Sequence, residues 1–206
     1  MGVFKLFAFL IVGLGSVIAA VNHALFGPRA QARKRLKNAS RELTDGTVVT
    51  LTGSVIPKTQ VIQGPLSGRD GVAFSARGRI YATRNRMGTG DIAHEIVDAM
   101  MVEFELDTKD GKILVADSAL VIEFPPEPII PRKIDREQRF LLDHGHNANA
   151  ADAGFDEVLI KPGMKISVHG AVHFEAAPGE SGYRETGKRV VLTAPPGHPL
   201  TIGRPV

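Results

Sequence analysis

The chain contains no cysteine. That excludes a disulfide framework, a lipid anchor on an N-terminal cysteine, a cysteine nucleophile and any zinc site needing thiolates. It does not fix the redox compartment, because oxidising and reducing sides both tolerate a thiol-free chain. Tryptophan is also missing and aromatics make up only 6% of residues, so a stacking platform for single-stranded nucleic acid has little to be built from. Charge is scarce where the chain begins: Val3 to Phe26 carries one charged residue, Lys5, and Leu6 to Val21 is unbroken.

As a helix, that stretch of 24 residues reaches about 36 Å, enough for a hydrocarbon core of roughly 30 Å. Lys5 lies near the outer end, where it can snorkel to the interface. The competing reading is a signal peptide cut near Ala19 and Ala20. The length of the run and the six basic residues that follow favour an uncleaved anchor, so residues 1–27 are expected to form one transmembrane helix. Gly15, Ala19 and His23 make a small-residue stripe that a spanning helix carries with or without a partner. Gly13-Leu14-Gly15 is no dinucleotide fingerprint, since no strand precedes it.

Residues 28–44 read as a short juxtamembrane helix with Arg29, Arg33, Lys34, Arg35, Lys37 and Arg41 at the level of lipid headgroups. Each adds about 1 kcal/mol of attraction to an anionic surface. Beyond this collar the balance reverses. Seven of 25 basic and one of 22 acidic residues precede Asp45, leaving 18 and 21 for the rest. The calculated pI of 9.3 therefore describes the collar and not a nucleic-acid-binding domain. Positive-inside asymmetry predicts a membrane protein with its 45–206 domain in the cytoplasm.

That domain is read as mainly β. Val49, Leu51, Gly53 and Val55 alternate with polar residues up to Pro57, and Val102, Phe104 and Leu106 alternate with Glu103, Glu105 and Asp107. Thr108-Lys109-Asp110-Gly111 signals a hairpin returning through 112–116. Val72 to Tyr81 and Met164 to Glu175 alternate in the same way, Leu120–Phe124 is a strand stopped by two prolines, and Lys188–Thr193 returns from a tip at 177–187. Asp91 is placed as the cap of a short helix through Ala99, and Pro131 as the start of a helix ending at His144-Gly145. Residues 85–90 are expected to be mobile, and 145–154 a surface loop. The proline-rich ending contributes at most one edge strand. The acidic face of 103–107 is expected beside the basic face of 77–79. Together these predict a small OB-like β-barrel or sandwich with an inserted short helix.

Candidate chemistry is thin. His169 and His173 share a strand face about 13 Å apart, too far for one ion, and His144 and His146 fit a helix end. Ser67 stands beside Arg69 and Asp70 without a nearby histidine base. Asp107, Asp110 and Asp117 do not make a calcium loop. No catalytic residue, cofactor or metal is predicted. Arg77, Arg79, Arg84 and Arg86 offer a basic face for headgroups or an acidic partner, with pairing to the 103–107 acids as the simpler reading.

The stretch Gly64-Pro65-Leu66-Ser67-Gly68-Arg69-Asp70-Gly71 organises the rest: a firmly locked turn that sets the register of the strand after it. Pro65-Leu66-Ser67-Gly68-Arg69 followed by a strand resembles the BAM (beside-a-membrane) domain of the GIDE family. A second block, Glu157 through an apolar pair to Pro162-Gly163 and a strand reaching Gly170, agrees, and Phe140–Gly145 is similar to a helix end in bacterial members. The resemblance covers roughly Thr47 to the C-terminus and implies an all-β core at a membrane. Eukaryotic members are mitochondrial E3 ubiquitin ligases, but without cysteine no RING finger can be built here, so ligase activity does not carry over. The expected function is a single-span protein presenting a non-catalytic binding or adaptor domain to a protein partner or anionic lipid. The alternatives are a structural oligomerisation module and an enzyme of unrecognised type.

Overall fold

The computed structural model describes residues 43–58, 60–82, 91–116, 119–129, 131–176 and 188–205. The expected membrane span and basic collar lie outside these residues, as do the stretch expected to be mobile at 85–90 and the hairpin tip at 177–187. No helix among the described residues is long and apolar enough to cross a membrane. In chain order the first strands are β1 (Val48–Pro57), β2 (Ile62–Gln63), β3 (Asp70–Gly71), β4 (Ala73–Tyr81) and β5 (Ile92–Met101). Then come β6 (Phe104–Thr108), β7 (Gly111–Val115), β8 (Leu120–Glu123) and β9 (Glu127–Pro128). Helix α1 (Ile134–Asp143) and a 3-10 turn (Ala150–Asp152) precede β10 (Ala153–Ile160), β11 (Lys165–Ala176), β12 (Lys188–Thr193) and β13 (Leu200–Gly203).

The domain is mainly β, as its alternating stretches predict, and five strands close into a barrel in the order β1, β6, β7, β12, β11 and back to β1. Closure is antiparallel, from Val48 opposite Ala171 to Ser54 opposite Lys165. β12 meets β7 in parallel, Val191 opposite Leu114. Inward positions form one core around Val49, Val55, Phe104, Leu106, Ile113, Ile166, Val168 and Leu192. Burying each such side chain contributes roughly 1.5–3 kcal/mol.

A second sheet, β5-β4-β10-β9, stacks between the barrel and α1. From residue 158 onward β10 is apolar on both faces: Val158 and Ile160 join the barrel core, and Leu159 joins a second core with Leu66, Phe74, Phe140 and Leu141. Helix α1 ends as expected. Gly145 takes φ +78°, and the His146 amide donates to the Leu141 carbonyl at 2.9 Å.

Four expectations are corrected. Residues 92–101 are not a helix but β5, matched to β4 from Met101 opposite Ala73 to Ile92 opposite Tyr81. Apolar residues at 92, 93, 96 and 97 mimic helical spacing, yet the segment follows β4 directly and supplies its hairpin partner. The acids of 103–107 do not neighbour 77–79 either, because β6 lies between β1 and β7. Glu103 pairs with Lys58 at 2.7 Å and Glu105 with Lys112 at 3.6 Å. β13 is no edge strand: all four of its residues are buried, and it runs between β11 and β8. The 145–154 loop is not wholly at the surface, since Ala150 is buried in the second core.

At Gly170 an added Cβ would stand 2.7 Å from the backbone oxygen of Thr193. Gly170→Ala is therefore expected to push β11 from β12 and lower stability by about 1–3 kcal/mol. Equilibrium urea unfolding of the variant against the parent measures this, and an unchanged midpoint contradicts it.

Candidate functional site

The turn joining β2 to β3 folds on its own amides. Ile62 faces Gly71 and Gln63 faces Asp70. The Gly64 amide donates to the Arg69 carbonyl at 2.9 Å, and the Gly68 amide to the Gly64 carbonyl at 2.8 Å. Pro65 fixes the entering φ, Leu66 drops its side chain fully into the second core, and Ser67 Oγ accepts the Arg69 amide at 3.2 Å. The serine hydroxyl is thus spent on holding the loop, and the side chain is buried.

What the turn leaves unpaired is taken up by Glu157 of β10. Its Oε1 accepts the Leu66 amide at 2.9 Å, and both carboxylate oxygens lie 3.3 Å from the Ser67 amide. The carboxylate is only 4% exposed. Gly64 makes room for it, because a Cβ there would come within 2.6 Å of Oε2. From the other side Lys133 Nζ donates to the Ser67 carbonyl at 2.8 Å, and the Arg136 guanidinium covers Gly68 so closely that a Cβ would stand 2.6 Å from its Cζ. Two cations and one buried acid therefore clamp Pro65–Arg69. The arrangement is an anion-binding nest of backbone amides already filled by the chain's own carboxylate.

A second buried acid sits next door. Glu137 is fully buried on the inner face of α1 and receives Arg132 Nε at 3.0 and 3.1 Å and Nη2 at 2.6 Å. The same Nη2 reaches the Ala150 carbonyl at 2.8 Å, and the guanidinium lies 5.8 Å over the Phe155 ring. Hydrogen bonding to Glu137 raises the Arg132 pKa above its ordinary value; burial opposes the rise and the Glu137 charge adds to it. Gln138 completes the tie, donating to Ala148 and accepting from the Ala150 amide, each at 3.0 Å. Sequence reasoning missed this pair. Its only signal is an acid on the same helix face as Phe140 and Leu141.

The remaining expected residues fall in several places. Pro162 and Gly163 turn β10 into β11 and dock on β1, where the Gly163 amide donates to the Val55 carbonyl at 2.8 Å. Gly170 lies in the barrel wall opposite Val49. Arg77 and Arg79 are matched by acids other than those expected: Glu95 lies 3.4 and 3.6 Å away, and Asp156 meets Arg79 at 2.5 Å. Arg84, Arg86 and the collar residues Arg29, Arg33, Lys34, Arg35, Lys37 and Arg41 lie outside the described residues. The histidines are dispersed. His144 bonds the Phe140 carbonyl at 2.8 Å and stands 3.9 Å from Asp98, while the His146 ring lies 5.2 Å from that of His94. His169 lies 3.2 Å from Thr50 Oγ1, and His173 lies 3.8 Å from Asp45. Among the described residues no three His, Asp or Glu side chains converge as a metal site.

Comparison with protein-family models, with curated proteins and with solved structures finds no match to this chain.

Glu157→Ala leaves two buried amide donors without an acceptor, at a cost of about 1–3 kcal/mol each. Glu157→Gln, which keeps one oxygen, should recover part of that loss. Urea unfolding of both variants tests the ranking, and equal midpoints for the two would show that the carboxylate does not hold the turn.

Proposed function

We propose that this chain presents a non-catalytic, BAM-like binding or adaptor domain at a membrane surface, with the barrel on the cytoplasmic side. One observation carries the reading: the way the barrel receives the chain from the apolar N-terminal stretch. Leu43 packs against the barrel core. The Gly46 amide donates to the Val172 carbonyl at 2.8 Å, the Val172 amide to the Thr47 carbonyl at 2.9 Å, and Asp45 Oδ1 accepts the Phe174 amide at 3.2 Å. The stretch between residue 26 and residue 43 is therefore short. It reaches about 25 Å as a helix and about 55 Å fully extended. An anchor in the bilayer would keep this end of the barrel, with its exposed Phe174, near the headgroups.

The strand order supports an OB-like barrel: three strands in sequence, the fifth beside the third, and the fourth closing on the first. The clamp supports a likeness to the BAM domain, because Glu157 of the second motif block holds the turn of the first. The buried acids Glu157 and Glu137 serve the scaffold, which favours binding over catalysis. A protein partner or anionic lipid headgroups are the ligands in this reading, and nucleic acid is not.

The absence of cysteine makes the test clean. Lys109→Cys places one thiol on the exposed β6–β7 turn. In intact cells it should resist a membrane-impermeant maleimide until lysis, and the protein should stay in membranes washed with alkaline carbonate. Labelling before lysis overturns the cytoplasmic placement, and release by carbonate overturns the anchor.

A further inference from the structure

Strand β5 is ten residues long and pairs regularly with β4 from His94 to Met101; between Ile92 and His94 the register shifts by one residue, leaving Ala93 as a bulge. Among the described residues no strand lies on its other side. Proteins usually blunt such an edge with brevity, proline or lysine. β5, reading Ile-Ala-His-Glu-Ile-Val-Asp-Ala-Met-Met, has none of these, though a bulge marks its start and Glu95 and Asp98 charge it, leaving a regular edge from His94 to Met101. It exposes Ile92 at 52%, Val97 at 58% and Met100 at 52%, large apolar groups for a solvent-facing edge.

We propose that β5 pairs antiparallel with β5 of a second copy of this chain, about a two-fold axis through Ile96. The register follows from symmetry and charge. An antiparallel pair related by a two-fold axis keeps the same face on both copies, so the axis must pass through a residue position of the strand. Centred on Glu95, the two glutamates oppose each other. Centred on Val97, Asp98 lies against Ile96 and His94 against Met100. Centred on Ile96, within the regular stretch after the bulge, His94 meets Asp98 twice. Ile96 then opposes itself, and Glu95 meets Val97. The two Glu95 side chains become diagonal neighbours, and each already lies beside Arg77 and Arg79 of its own copy. The result is one continuous eight-stranded sheet across two copies, with α1 of both on the same side. This inference does not depend on where the domain sits in the cell.

Cysteine crosslinking in the full-length protein tests the register directly. Opposed Cα atoms in an antiparallel pair are about 4.5–5.5 Å apart, within disulfide reach. Glu95→Cys and Val97→Cys proteins, mixed and oxidised with copper–phenanthroline, should give a covalent dimer. Each alone should give much less, since like positions would lie diagonally about 7–8 Å apart, beyond easy disulfide reach. His94→Asp, added to both, should lower the mixed yield about tenfold by placing like charges opposite each other twice. The exchanged pair His94→Asp with Asp98→His should restore it. The proposal is overturned if the mixture crosslinks no better than the single variants, if His94→Asp leaves the yield unchanged, or if the exchange fails to restore it.

Discussion

Closure of β1 onto β11 is the contact on which the rest depends. A five-stranded sheet left open would expose two rows of backbone donors and acceptors, whereas joined at this seam it has no edge within the barrel. The seam is tight. Gly53 and Gly170 lie in it, and each lets the strand on its other side come close, β6 at Asp107 and β12 at Thr193. β11 bends through the seam, pairing with β1 and β13 in its first half and with β12 in its second.

The clamp around the turn depends on that seam at one remove. β10 runs into β11 through the Pro162-Gly163 turn, which is hydrogen-bonded to Val55 of β1. Barrel closure therefore sets where Glu157 stands, and Glu157 sets where Leu66 enters the second core. The two cores are thus not independent. They share the adjoining ends of β4 and β10, where Ala73, Val158 and Ile160 face one and Phe74 and Leu159 the other, and a shift of either strand would disturb both.

Much of this was legible in the chain, for a physical reason. Strands with one wet face alternate, so β1 and β6 announced themselves, and α1 ended where His144-Gly145 predicts. β11 also alternates, although residues 166–172 are all buried, because its polar positions Ser167 and His169 meet Thr52 and Thr50 of β1. Strands buried on both faces read as apolar runs, such as Val158-Leu159-Ile160, whose direction only the fold reveals. β5 failed because an edge strand exposed on much of both faces has no alternation to read, and its apolar pairs fell at helical spacing. The pairing of Arg77 and Arg79 failed because charge complementarity admits several partners, and the local hairpin with β4 decided for Glu95. The clamp itself spans 91 positions from Leu66 to Glu157. Motif order places both blocks in one domain, but nothing in either block shows that the glutamate caps the turn.

The long route back to β1 has a consequence for synthesis. Its partner β11 lies far down the chain: Thr50 and His169 are 119 positions apart, which takes about 6–24 s to translate at roughly 5–20 residues per second. Until then β1 can pair with β6 alone, and one of its sides stays open while the inserted sheet and α1 emerge. The ribosome thus holds the barrel unclosed for most of its making, a window in which a chaperone has an exposed strand to meet.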